Sequence, residues 1–109
     1  MKTYLDDFEE LVLLTIASLS ADAYGVSIKN YVEAQLGHKV SIGTLHSTIA
    51  RLEERRLLVS HVGEPTAERG GRRKRFYHLT ERGKVSLHEM KAFRDSLWLA
   101  AKSNLALSK

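Results

Sequence analysis

Residues 40–62 read VSIGTLHSTIARLEERRLLVSHV, and this stretch decides the fold. Its first part carries apolar side chains three and four residues apart, at Leu45, Ile49 and Leu52. That spacing is typical of the buried face of a helix. Ser41 stands just before this face and is a favourable N-cap residue. The pattern predicts a helix over about residues 41–55.

A β-hairpin is predicted directly after this helix. Apolar and polar residues alternate over residues 58–62 and again over residues 75–79, as they do in half-buried strands. Between them, residues 63–71 are rich in turn-forming residues, including three glycines and the only proline of the chain. Two strands joined by such a segment indicate an antiparallel hairpin.

Two further helices are predicted before residue 41. The first spans about Asp6 to Leu19, and four acidic residues lie at its positive N-terminal end. Its apolar face consists of Phe8, Leu11, Val12, Thr15, Ile16 and Leu19. The second spans Gly25 to Leu36, and Gly37 is its expected C-terminal stop.

A long final helix is predicted after the hairpin, with Thr80 as its N-cap and an end near residue 105. Its apolar stripe consists of Leu87, Met90, Phe93, Leu97, Trp98, Ala101 and Leu105. The whole order predicts an α+β fold that is mainly α, a winged helix-turn-helix with an appended long C-terminal helix. We expect the winged-helix domain to occupy residues 1–80 and the appended C-terminal helix residues 81–109.

Size and composition limit the classes of function. The chain has 109 residues, a formal net charge of +4 and no cysteine. This length suits one compact core, and the positive charge favours polyanionic partners. Disulfides and thiolate metal sites are excluded. The acidic N-terminal segment and the lack of a long apolar run predict no signal peptide and no membrane segment, so a cytoplasmic protein is expected.

The outer face of the helix over residues 41–55 could contact DNA. It carries small or polar side chains at Gly43, Thr44, Ser47, Ala50, Arg51 and Glu54, with His46 on its flank. Small residues let a helix enter the major groove, and hydroxyl and guanidinium groups can hydrogen-bond to bases or phosphates. A solvated surface helix is the alternative interpretation of the same face.

The predicted hairpin carries the densest positive charge in the chain. Residues 69–75 read RGGRRKR, with four consecutive cations entering the second strand. Neutralising phosphates with such residues releases counterions, which favours nucleic-acid binding. The alternative is a solvated basic loop, or an edge strand protected from aggregation by its charge.

The linked motifs resemble the PadR family of bacterial transcriptional regulators, in its short form with one C-terminal helix. The likeness is carried by residues 23–25, residues 40–45, residues 51–53 and residues 71–83, in that order, and it covers almost the whole chain. The chain differs from the family pattern at His46 and Ser47, where the family commonly has Tyr and Pro.

The resemblance implies a homodimeric repressor, with recognition helices in major grooves and basic wings on flanking phosphates or minor groove. The wing would span residues 63–75. The DNA-binding residues expected from the resemblance and the patterns together are Tyr24, Ser41, Thr44, His46, Ser47, Arg51, Arg69, Arg72, Arg73, Lys74 and Arg75. Bacterial, nucleoid-associated cytoplasmic localisation is implied in the same way.

The last helix independently needs a partner, because a winged domain of roughly 80 residues cannot cover a stripe that extends beyond it. We therefore expect its stripe residues, from Leu87 to Leu105, to form a dimer interface. Trp98 is interpreted as interface packing. The alternative is a slot for a small aromatic effector, since some members of the family bind phenolic compounds or drugs there.

An enzyme is not expected, because no paired carboxylates or Ser-His arrangement stands out. The five histidines lack the paired spacing of metal ligands, so no metal or cofactor is predicted; they are His38, His46, His61, His78 and His88. A winged-helix module that binds proteins without sequence-specific DNA binding remains the alternative function.

Overall fold

The computed structural model describes residues 4–65 and 73–108. Four α-helices and one hairpin lie in these ranges: α1 Asp7–Leu19, α2 Gly25–Leu36, α3 Ile42–Glu54, β1 Leu58–Pro65, β2 Arg73–Leu79 and α4 Glu81–Ala101. Short 3-10 turns follow α1 at Ser20–Asp22 and α4 at Lys102–Asn104. The predicted winged helix-turn-helix with a long last helix is confirmed.

Side-chain caps begin three of the helices, and the caps at Ser41 and Thr80 were predicted. The Asp6 carboxylate accepts the Glu9 N–H at 2.8 Å, and the Glu9 carboxylate accepts the Asp6 N–H at 2.9 Å. Ser41 caps α3 by accepting the Thr44 N–H at 3.3 Å. Thr80 caps α4 through the Gly83 N–H at 3.0 Å. Each cap satisfies a backbone donor that the helix itself cannot.

The hairpin is antiparallel, with Val59 opposite His78 and His61 opposite Phe76, and its pairing shifts between Val62 and Pro65. The second strand begins two residues earlier than predicted, at Arg73. The edge of β2 that faces away from β1 also makes a backbone hydrogen bond. There the Tyr77 N–H donates to the Ala23 carbonyl at 2.9 Å. The wing is therefore joined to the segment between α1 and α2.

The core is built around α1, which packs against α2, α3, β2 and α4. Leu13 of α1 is fully buried, although the predicted apolar face did not include it. A helix covered from several directions buries more than one stripe, which explains the difference. The buried apolar residues are Leu5, Val12, Leu13, Ile16, Ala23, Ile28, Val32, Leu45, Ile49, Leu52, Leu57, Leu58 and Met90.

The buried contacts of the last helix lie in its first half. Gly83 is buried against the backbone of Leu57, and Met90 lies in the core of its own chain. Met90 was expected on a dimer stripe; its burial at 5% exposure instead makes it an anchor of α4. Leu87 is half-buried against the same core. All residues from Lys91 to residue 108 are exposed.

Candidate nucleic-acid interface

The outer face of α3 is exposed as the pattern predicted. Thr44, His46, Ser47 and Arg51 all face solvent, while the seam that includes Leu45 is buried. The Ser47 hydroxyl donates to the Thr44 carbonyl at 3.1 Å. Its oxygen keeps lone pairs that can accept from a base or from water.

Arg51 is held back against the protein. Its Nη2 donates to the Thr48 hydroxyl at 3.3 Å, and its Nε lies 3.7 Å from Oε2 of Glu9. The same Glu9 oxygen lies 3.0 Å from Nη1 of Arg55, whose Nη2 donates to the Tyr4 carbonyl at 2.8 Å. Glu9 thus ties Arg51 of α3 and Arg55, the residue after α3, to α1 through a nearly buried carboxylate.

We expect Glu9→Gln to lower the free energy of unfolding by about 1–2 kcal/mol. The variant removes a charge that two guanidinium groups share, but these groups are themselves 35% and 51% exposed, so solvent screens part of the effect. Urea denaturation measures the change. Glu54→Gln, at an exposed position of α3, is the control and should cost less than about 0.5 kcal/mol. Equal effects of the two substitutions would contradict the tie.

The turn between α2 and α3 is fixed by Glu33. Its Oε2 accepts the Val40 N–H at 2.7 Å and pairs with Lys29 Nζ at 2.9 Å. The backbone hydrogen bond from Val40, followed by the hydrogen bond from Lys29, lowers the pKa of Glu33 below its usual value. The stability that ionised Glu33 contributes is complete above the pKa of this group in the unfolded chain. It is lost as the pH falls through the lower pKa of Glu33 in the folded protein. The turn should therefore loosen only under acidic conditions.

The cations of the wing divide between its two faces. Lys74 Nζ lies 4.2 Å above the ring centroid of Tyr24. Arg75 donates to the Ser60 hydroxyl at 3.0 Å, and that hydroxyl donates to Glu53 at 2.6 Å. Arg73 is exposed. The predicted wing residues Arg69 and Arg72 lie outside the described residues.

The chain from Glu53 through Ser60 to Arg75 connects the end of α3 with the wing. Tyr77 lies next to this chain: burial, with a smaller effect of Glu53, raises the pKa of its phenol. Tyr77 also packs against the core. The recognition-type helix and the basic hairpin are thus held in a fixed relation.

An aromatic row on the other face of the wing was not predicted. Tyr24 meets Phe76 edge-on at a centroid distance of 5.7 Å, and His61 stacks on Phe76 at 5.7 Å. His61 also stacks on His78 at 4.9 Å. The spacing of His61 and His78 along the chain does not indicate that they meet. The strand register, once known, places both histidines on one face.

A groove of about 820 Å³ runs between α1 and α4. Apolar side chains such as Leu14, Leu87 and Trp98 line it, together with an ion pair between Arg94 and Glu10 at 2.8 Å. Trp98 is 64% exposed. The other exposed members of the predicted stripe are Phe93, Leu97, Ala101 and Leu105.

Within residues 4–65 and 73–108, no three or more His, Asp or Glu side chains are grouped as metal ligands. In the same part of the chain, no helix has the length and apolarity needed to cross a membrane.

A helix-turn-helix with an exposed polar second helix and a cationic hairpin beside it defines the winged-helix class of regulators. The family model described as "Transcriptional regulator PadR-like family" matches residues 12–89. The chain belongs to this family of transcriptional regulators, as its motifs predicted. No curated protein is significantly similar to it.

Solved structures share the fold. A PadR-like transcription factor from Bacteroides fragilis is 24% identical with a TM-score of 0.74, over 88% of this chain and 87% of that one. A PadR family regulator from Eggerthella lenta is 26% identical with a TM-score of 0.66, over 90% and 83%. A PadR-like regulator from Bacillus cereus is 20% identical with a TM-score of 0.71, over 93% of each chain.

Proposed function

We propose that this PadR-like regulator is a homodimeric repressor that binds a palindromic operator in duplex DNA. The observation that supports it most is the pairing of an exposed, small and polar α3 face with a cationic wing fixed to the same helix. Exposed faces of this kind are common, but a rigid link to concentrated positive charge suits a phosphate-lined groove.

We propose that α3 enters the major groove with Thr44 and Ser47 as the first readers of base edges. Gly43 and Ala50 have no bulky side chain, so the helix backbone can enter a groove about 12 Å wide. His46 lies on the flank, where it can reach a base or a phosphate. Arg51 can contact DNA only after its ion pair with Glu9 breaks.

The wing supplies affinity in this proposal. Arg73, with Arg69 and Arg72, would contact flanking phosphates or minor groove, and Lys74 would do so beside Tyr24. Arg75 is the least available of these cations, because its Nη1 already donates to the Ser60 hydroxyl, which donates in turn to Glu53. Phosphate contacts of this kind position the protein without reading sequence.

The proposed homodimer forms through α1 and α4. Beyond Met90, α4 exposes large apolar side chains to solvent, including Phe93, Leu97 and Trp98. Leu14 of α1 is exposed beside them at 47% and lines the same groove. The last helix of a second copy has the matching apolar stripe, so a two-fold pair would cover both. A small aromatic effector would bind next to Trp98 in this interface.

Footprinting on the DNA upstream of the gene for this chain tests the proposal. We expect protection of two half-sites about 34 Å apart, one turn of the duplex, since a two-fold dimer presents two recognition helices. Increased transcription on deletion of the gene would identify repression. No protection on any upstream DNA would favour the alternative, a winged-helix module that binds proteins.

Leu97→Asp is expected to give monomers in analytical ultracentrifugation. It places a charge in the proposed interface, and the monomer should bind the operator at least tenfold more weakly because two-site binding is lost. Val85→Asp is the matched control: Val85 is 52% exposed on the same helix but lies off the stripe. A Leu97→Asp protein that remains dimeric would contradict this interface.

A further inference from the structure

His61 and His78 form a close pair on the outer face of the wing, apart from the proposed DNA-reading residues. They lie diagonally across the hairpin, because His61 is opposite Phe76 and His78 is opposite Val59. Their facing ring nitrogens, Nδ1 of His61 and Nε2 of His78, are 3.2 Å apart. The two rings are almost parallel, with an angle of 7° between them.

The surroundings hold this pair in place while leaving it accessible. Phe76 stacks on His61 at 22°, and both histidines belong to paired strands. His61 is exposed and His78 is half-buried, so a hydrated ion can approach. Lys74 lies at the far end of the same aromatic row, over Tyr24.

The spacing of the two nitrogens suits a shared metal ion. Zinc binds imidazole nitrogen at about 2.0–2.1 Å, so two ligands on one tetrahedral ion lie about 3.3 Å apart. The observed 3.2 Å matches this separation, and the nearly parallel rings must turn so that both lone pairs point at the ion. Neutral imidazole is a preferred ligand of borderline divalent metals such as zinc, nickel and copper.

We propose that His61 and His78 bind one divalent transition metal ion, with zinc as the reference ion, and that the ion links β1 to β2. A hydrogen bond between the two facing nitrogens requires a proton on one of them. On coordination this proton moves to the remote nitrogen of its own ring, and both facing nitrogens then donate lone pairs. Water completes the coordination sphere.

Calorimetric titration of the untagged full chain with zinc chloride tests the proposal, at a pH where histidine is neutral. We expect one ion per chain, and at least a tenfold loss of affinity in His61→Ala and in His78→Ala. His38→Ala is the matched control, because His38 is an exposed histidine whose described contact is the Lys39 carbonyl. It should bind zinc like the unmodified chain.

A second measurement, of thermal stability, does not depend on the heat of binding. Zinc should raise the melting temperature of the unmodified protein and of His38→Ala, because a ligand of the folded state stabilises it by mass action. It should not raise the melting temperature of His61→Ala or His78→Ala. Absence of zinc binding in the unmodified protein, or binding that survives both substitutions, would overturn the proposal.

Discussion

Gly83→Ala should destabilise the protein by about 3 kcal/mol, a large part of the stability of a small domain. A Cβ at Gly83 would lie 2.2 Å from the carbonyl oxygen of Leu57. This neighbour is backbone, so no side-chain rotation can relieve the contact. The Leu57 carbonyl also accepts the Thr80 N–H at 3.1 Å, which fixes it above the first turn of α4.

Helix propensity alone predicts that Gly83→Ala stabilises the protein, so the sign of the measured stability change distinguishes the two effects. Alanine within a helix is favoured over glycine by roughly 1 kcal/mol. Gly25→Ala is the control, since Gly25 is also in the first turn of a helix and a Cβ there would meet nothing within 4 Å. Thermal unfolding should show a loss of more than about 10 °C for Gly83→Ala and no loss for Gly25→Ala. A stabilised Gly83→Ala protein would refute the close packing of α4 on Leu57.

Replacing both Arg73 and Lys74 with Ala should weaken operator binding by about tenfold to a hundredfold at moderate salt. Each phosphate contact contributes about −0.9 to the slope of log affinity against log salt, so two lost contacts should flatten the slope by about 1.8. Fluorescence anisotropy at several salt concentrations measures both quantities. The fold should survive, because the Lys74 contact with the Tyr24 ring contributes only about 0.5–1 kcal/mol.

The matched control removes the same charge from another surface. Arg82 and Lys102 are exposed cations at the start of α4 and in the turn that follows it, outside the wing strands. Their joint replacement with Ala should leave the salt slope within about 0.5 of the unmodified value. If both double variants flatten the slope equally, total charge rather than the wing accounts for binding.

The elements of the fold could be predicted because their signals are local. Caps such as Ser41 and Thr80 and the change from helical spacing to alternation act within a few residues. Contacts between distant elements could not be predicted in this way. Glu9 and Glu10 were expected to stabilise the N-terminus of α1, where Glu9 does take part in the cap. Both also pair with distant arginines, Arg55 after α3 and Arg94 of α4. Met90 was assigned to the dimer stripe because periodicity does not tell the core of one chain from a partner.

In the candidate site, too, only the features with a local signal could be predicted. Exposure of Thr44 and Ser47 followed from the apolar seam opposite them. The restraint of Arg51 depends on how α3 docks on α1, and the meeting of His61 with His78 depends on strand register. Neither relation has a signal in the spacing of residues. Burial alternation can predict a face, but only pairing determines which side chains share it.

Sequence-specific DNA binding is the central claim, and one comparison tests it most directly. The unmodified protein is titrated by anisotropy against the footprinted operator and against a scrambled duplex of equal length, at the same physiological salt. We predict at least a thousandfold preference for the operator, the usual lower bound for a specific regulator. Equal affinity for both duplexes, or no binding to either, would contradict it.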